Sequence, residues 1–307
     1  MATLDRQKIG FIGLGLMGKG MARNLKAHGA ELFVANRSQE AVRDLETEGM
    51  HACSRPADVA ARVGAGIVVL SLTNTAAVDT VLFGSGGLSD SIAPGLLIVD
   101  MGTTSVEATR RFADRLSGSG AHFVDAPVSG GQVASERGTL VIMAGGAPED
   151  IDRARPLFEA VGKTITHVGP VGAGQVAKVA NQMIVALTID AVASALALAK
   201  AAGVEPSMVR EAIGGGFAQS RVLDLHGLRM IDGNFAPGGR ATTQRKDVRQ
   251  ALDLAGALGL DLPALKLNLA LWDRMVARGD GDLDHSGIIR IYEKSGAAED
   301  GGATARP

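Results

Sequence analysis

The sequence predicts an α/β protein: a doubly wound sheet domain over residues 1–169, then an all-α domain over residues 170–295, joined by a long interdomain helix. Three observations carry this. From residue 8 to residue 168, short apolar runs alternate with helix-like stretches, the pattern of βαβ units and a parallel sheet. Beyond Gly169-Pro170 the strand patterns stop, and helical stretches punctuated by Gly or Pro take over. Between the two regimes, residues 172–202 contain no Gly or Pro after Gly174 and are apolar on nearly every face. Such a run is one helix buried on most sides, roughly 40 Å long.

The first element is KIGFI, an apolar run that ends in Gly13-Leu14-Gly15-Leu16-Met17-Gly18. A helical stretch stops at Gly29, and a second strand, ELFVANR, follows. This is G-x-G-x-x-G between a strand and a helix, the context that gives it meaning. The glycines allow a tight turn and close approach to a pyrophosphate, which the N–H groups of the helix N-terminus then bind. A purely structural glycine turn is the alternative. At the end of the second strand an NAD site would place a carboxylate for the ribose hydroxyls. The chain has Asn36, Arg37 and Ser38 instead. These residues can donate to a 2′-phosphate that a carboxylate would repel, so NADP(H) is favoured, with NAD(H) still accommodated. The competing view makes Arg37 a solvated turn residue.

Further strands are expected at IVVLSL, LLIVDMGTT, HFVDAP, TLVIMAGG and residues 164–168. Ligands in doubly wound sheets lie beyond the carboxyl ends of strands. Leu72-Thr73-Asn74 and Thr103-Thr104 close strands in this way and should face the cofactor. Within DAPVSGGQVASERGTL, Ser129-Gly130-Gly131 offers a hydroxyl and two unshielded N–H groups. That suits a carboxylate, and an ordinary β-turn equally. On the long helix, Lys178 is followed at i+3 and i+4 by Asn181 and Gln182, so all three share one face. A lysine in an apolar helix needs a polar pocket or an acidic partner. Lys246-Asp247 opens a later helix and either reaches back to a cleft between the domains or forms a surface ion pair.

Composition bounds the rest. The 307 residues are enough for two cores. A net charge of −2 gives no basis for nucleic-acid binding or for a membrane surface. A single cysteine, Cys53, excludes a disulfide framework, and with only 6 His a structural zinc is not expected; no metal site is predicted. The apolar run 183–199 is short for a membrane span and carries Asp190 in its middle. The N-terminus lacks signal-peptide regions, so a cytoplasmic protein is expected. Residues 296–307 are expected to be a disordered tail. The helical domain is more apolar than one subunit comfortably hides, which predicts a homodimer or homotetramer built through it.

Together these features describe a dinucleotide domain, an anion nest and a lysine near the interdomain junction. Hydride transfer to a carbonyl needs a proton donor at the oxygen, and a partly desolvated amine can serve. Lys178 is the candidate on a defined element; its other possible role is an electrostatic anchor for an anionic substrate.

GFIGLGLMGKGMARNL, DAPVSGGQVASERGTL, GAGQVAKVANQ and the later Lys246-Asp247 pair together resemble the β-hydroxyacid dehydrogenases over the chain to about residue 294. The resemblance implies NAD(P)-dependent reduction of a short semialdehyde bearing a carboxylate, tartronate semialdehyde to D-glycerate, with Lys178 as catalytic acid/base. It implies that Ser129, Gly130, Gly131 and Asn181 hold the substrate, and that Thr103 and Lys246 approach the nicotinamide end of the cofactor. 3-Hydroxyisobutyrate, succinic semialdehyde and glyoxylate are the alternative substrates, and a non-catalytic cofactor-binding module is the alternative class. The chain departs from the family pattern at Ala134-Ser135, where the nest motif usually continues Gly-Ala. Ser135 is therefore expected to add a polar group to the substrate pocket. Gln182 stands where relatives acting on 3-hydroxyisobutyrate carry Asn.

Overall fold

The computed structural model describes residues 4–293; the tail expected at 296–307 lies outside them. The chain packs as two compact units, Met1–Asn181 and Gln182–Pro307.

In the first unit the strands are β1 (Lys8–Ile12), β2 (Glu31–Ala35), β3 (His51–Ala52), β4 (Ile67–Leu70), β5 (Leu97–Asp100), β6 (His122–Asp125), β7 (Val128–Ser129), β8 (Leu140–Gly145) and β9 (Gly162–Gly169). They form one sheet in the order β3-β2-β1-β4-β5-β6-β8-β7, with β9 paired to β8. From β3 through β6 every pairing is parallel. The sheet is not parallel throughout, because β8 runs antiparallel to both β6 and β7. Alternating apolar runs specify strands but not their direction. Here the chain leaves β6 into the short strand β7, and after the six-residue helix α6 (Gly131–Glu136) β8 doubles back against β7 as an antiparallel pair.

Helices cover both faces. On one side α1 (Leu16–Ala27), α2 (Gln39–Thr47) and α7 (Pro148–Val161) share a core with Ile9, Phe11, Val69 and Val99. On the other, α3 (Pro56–Val63), α4 (Thr75–Phe83) and α5 (Val106–Ser117) pack on Ile12, Val68, Leu70 and Ile98. Neighbouring strand residues point to opposite faces, so a strand covered on both sides is apolar at every position, as β4 is.

The helix α8 spans Ala173–Ala201. Its first turns belong to the sheet unit and the remainder to the helical one. The helical unit also contains α9 (Pro206–Ile213), α10 (Arg221–Ile231), α11 (Ala241–Ala257), α12 (Pro263–Ala277) and a 3₁₀ segment at His285–Ile291. Ala186, Ile189, Ala193 and Leu196 of α8 are buried, as are Leu269 and Trp272 of α12. Asn268 links the two helices: its amide donates to the Ala186 carbonyl and its oxygen accepts from the Trp272 indole. By length and composition alone α8 would pass for a membrane span. Its polar groups are satisfied within the protein, however: Asp190 accepts from the Tyr292 hydroxyl and Gln182 donates to Asp247 at 2.6 Å. It is a core helix.

Candidate active site

The Gly-rich turn shows why each glycine stands where it does. Gly13 has φ +103°, and a Cβ there would lie 2.2 Å from the Ser71 carbonyl oxygen. At Gly18 a Cβ would lie 1.9 Å from the Gly13 carbonyl oxygen, so this glycine lets α1 close on the turn. A Cβ at Gly15 would meet nothing within 4 Å, leaving the backbone open to a ligand. Those three roles match a pyrophosphate turn. The Gly13 N–H goes to the Ala35 carbonyl at 3.1 Å and the Leu14 N–H to Asn36 Oδ1 at 3.1 Å, while the Leu14 side chain is core. The groups left to a phosphate are those of Leu16, Met17 and Gly18, which as the first turn of α1 have no intrahelical acceptor. The loop therefore fits a dinucleotide.

Two of the expected cofactor residues also brace the loops they stand in. Asn36 accepts from Leu14 and donates to the Ser38 carbonyl at 3.1 Å, so its amide holds the glycine turn against the end of β2 and is turned to backbone on both sides. Arg37 and Ser38 are exposed where α2 begins. Asn74 caps α4, accepting the Ala77 N–H at 2.9 Å, which sets the backbone after Leu72 and Thr73.

Thr103 lies in a loop tied on both sides. Asp100, fully buried, accepts the Thr104 hydroxyl at 2.6 Å and the Gly102 N–H at 2.9 Å. Gln175 of α8 accepts the Thr104 N–H at 3.1 Å and donates to the Gly102 carbonyl at 2.9 Å. Asp125 at the end of β6 accepts the Gly172 and Gln175 N–H groups at 2.7 and 2.8 Å. A buried carboxylate thus closes the N-terminus of the helix that carries Lys178. Burial pushes the Asp125 carboxyl up to about 6, its two N–H donors holding it back; burial also raises Asp100. Sequence reasoning missed Gln175, Asp100 and Asp125. Gln175 is three residues before Lys178 and so shares its face, which was the available signal.

The nest follows directly. Val128 and Ser129 form the short strand β7 on the edge of β8, and Gly130 and Gly131 both take positive φ, +137° and +70°. A Cβ at Gly130 would press to 2.5 Å from the Ala134 Cβ. Lys178 is 8% exposed, and its Nζ donates to the Val128 carbonyl at 2.8 Å, one residue from Ser129. Asn181 is half-buried one turn further along α8. Lys178, Asn181 and the Ser129-Gly130-Gly131 loop all belong to the sheet unit.

Lys246 belongs to the helical unit. Its Nζ lies 2.8 Å from Asp247 Oδ1, and Asp247 is buried and also accepts from Gln182. The pair is partly buried, not the surface pair that was the alternative. Ser135 corrects the expectation of a polar group in the substrate pocket: it is fully buried and its hydroxyl donates to the Met17 carbonyl of α1 at 2.5 Å.

A doubly wound sheet whose glycine turn fits a dinucleotide, with a buried lysine beside a glycine loop, is the arrangement of an NAD(P)-dependent oxidoreductase. Comparison with known families agrees: residues 8–169 match the NAD-binding domain of 6-phosphogluconate dehydrogenase. Residues 172–292 match the NAD-binding domain of NADP-dependent 3-hydroxyisobutyrate dehydrogenase. The chain is 42% identical to 2-hydroxy-3-oxopropionate reductase of Escherichia coli, over 93% of this chain and 97% of that one. A Mycobacterium tuberculosis 3-hydroxyisobutyrate dehydrogenase, solved with L-serine, superposes with TM-score 0.86 at 27% identity, covering 94% of this chain and 100% of the other. A Salmonella typhimurium 3-hydroxyisobutyrate dehydrogenase gives TM-score 0.84 at 28% identity, covering 92% and 99%. The chain belongs to the β-hydroxyacid dehydrogenase family, whose members oxidise or reduce at a CH–OH carbon with NAD(P).

Proposed function

We propose that the protein reduces tartronate semialdehyde to D-glycerate, with NADPH favoured over NADH and Lys178 as general acid/base. The observation that carries this is the Lys178 amine, buried and 2.8 Å from the carbonyl of the residue before Ser129. A carboxylate held by Ser129, Gly130 and Gly131 would leave the aldehyde of a three-carbon substrate within reach of that amine. Asn181, on the same face of α8, orients the amine or bonds the substrate. NADPH would supply the hydride: the first turn of α1 would hold its pyrophosphate and Arg37 and Ser38 its 2′-phosphate, while Leu72, Thr73 and Thr103 would approach its nicotinamide end, a role the family resemblance gives Lys246 as well. As hydride reaches the carbonyl carbon, the Lys178 ammonium gives its proton to the carbonyl oxygen and forms the alcohol. In the reverse direction the neutral amine takes the hydroxyl proton.

The identity to the Escherichia coli reductase favours tartronate semialdehyde. The names of the two solved relatives favour a second reading, 3-hydroxyisobutyrate. Cofactor oxidation with tartronate semialdehyde and methylmalonate semialdehyde side by side, each with NADPH and NADH, separates the two. The expected result is at least tenfold higher kcat/KM for the tartronate compound with NADPH; a preference for the methyl compound assigns the second reading.

We also propose a cytoplasmic homo-oligomer assembled through the helical unit. Ile184, Ala191, Ala195 and Leu198 of α8 are all exposed. Their spacing of three, four and seven residues gathers them into one apolar stripe.

A further inference from the structure

We infer that Ser135 is a positioning residue that ties the anion nest to the cofactor-binding helix, so that occupation of one is felt at the other. Ser135 lies on α6, the helix that begins at Gly131 of the nest, and is completely buried. Its hydroxyl donates to the Met17 carbonyl in the first turn of α1. A second tie runs the other way: Asn24 of α1 donates to the Ser135 carbonyl at 2.7 Å and the Glu136 carbonyl at 3.3 Å. The two helices interlock at Gly20, where a Cβ would lie 2.6 Å from the Ser135 hydroxyl and 2.9 Å from the Glu136 nitrogen.

The accepting group gives the tie its meaning. The Met17 carbonyl and the Gly18 N–H are the two ends of one peptide unit. In a helix they point in opposite directions, the N–H towards the N-terminus, where a pyrophosphate binds. A donor on the carbonyl oxygen polarises that peptide and strengthens its N–H as a donor, the cooperativity of hydrogen-bond chains. Fixing α6 against this peptide also sets the distance between nest and phosphate, and so between the substrate carbonyl and the nicotinamide. Catalysis is sensitive to that spacing, because misplacement by about 1 Å can cost on the order of 10²-fold. The net worth of a neutral hydrogen bond corresponds to about two- to tenfold in an equilibrium constant.

The test is hydrogen exchange of the full chain with and without NADP+, on wild type and Ser135→Ala, which removes only the hydroxyl. NADP+ is expected to slow exchange in α1 and in α6 of the wild type, but in α1 alone in the variant, with NADP+ affinity changed by no more than about threefold. Asn24→Ala, which removes the other tie, is expected to weaken the α6 response too and serves if Ser135→Ala does not fold. A wild-type α6 indifferent to NADP+, or a variant whose α6 still responds fully, overturns the proposal. Its kinetic consequence rests on the substrate reading above: kcat/KM for the semialdehyde should fall about fivefold in Ser135→Ala. Loss of the exchange response with no change in kcat/KM would keep the tie and reject the nest as the substrate site.

Discussion

Lys178 concentrates the chemistry at one side chain, and its contribution can be read from rates. Lys178→Ala is expected to lower kcat by about 10² to 10⁴, the usual worth of general acid–base catalysis. NADPH binding should be nearly unchanged, because the amine acts on the carbonyl and not on the cofactor. A variant within threefold of wild type in kcat would remove Lys178 from the mechanism, and a large rise in KM alone would recast it as an anchor. The residue was legible in the sequence because a lysine in an apolar helix demands an explanation. So were the glycines of the turn, whose spacing between a strand and a helix can be read directly from the sequence. Ser135 was not. Its side chain could face a pocket or a helix, and only the tertiary contact with Gly20 and Met17 decides. The brace that Asn36 makes to the Leu14 N–H was equally out of reach of the sequence, since it too is a tertiary contact.

Among elements, the N-terminus of α8 is where fold and site meet. Gly174 is packed so closely that a Cβ would lie 2.3 Å from the Met143 carbonyl oxygen, and Asp125 accepts two N–H groups of this turn. Because the folded state raises the Asp125 carboxyl from 3.8 to about 6, folding favours its protonated form. The stability it contributes is present below pH 4 and is lost as pH rises through 6, by about 3 kcal/mol for a shift of two units. Asp125→Asn keeps one acceptor and removes the titration. Urea unfolding of both proteins at pH 4.5 and pH 7 should therefore show the wild type's advantage shrinking with pH. A difference that stays constant would show that the carboxylate titrates normally. The strand ends that carry these acids were predictable from apolar runs bounded by loops. The reversal of β8 was not, since alternation carries no sign of direction. The short β3 also left too few residues for a pattern.

At the scale of the whole molecule, the division into a sheet unit and a helical unit follows from where the βαβ rhythm stops, and that much is visible in the sequence. What the helical unit does with its apolar surface is a property of assembly. Ile184 is 67% exposed and Leu198 71%, on a helix whose opposite face supplies Ala186, Ile189 and Ala193 to the interior. A helix that is apolar on both faces buries one of them against another chain or leaves a patch that soluble monomers rarely expose. Replacing Ile184 and Leu198 together by Glu would place two carboxylates in a desolvated seam without partners, a cost larger than most interfaces withstand. Light scattering is expected to show a dimer or tetramer for the wild type and a monomer for the double variant, with the far-ultraviolet helix signal preserved. An unchanged mass would move the seam to another face of the helical unit. A monomeric wild type would leave the exposed stripe without the partner its composition requires.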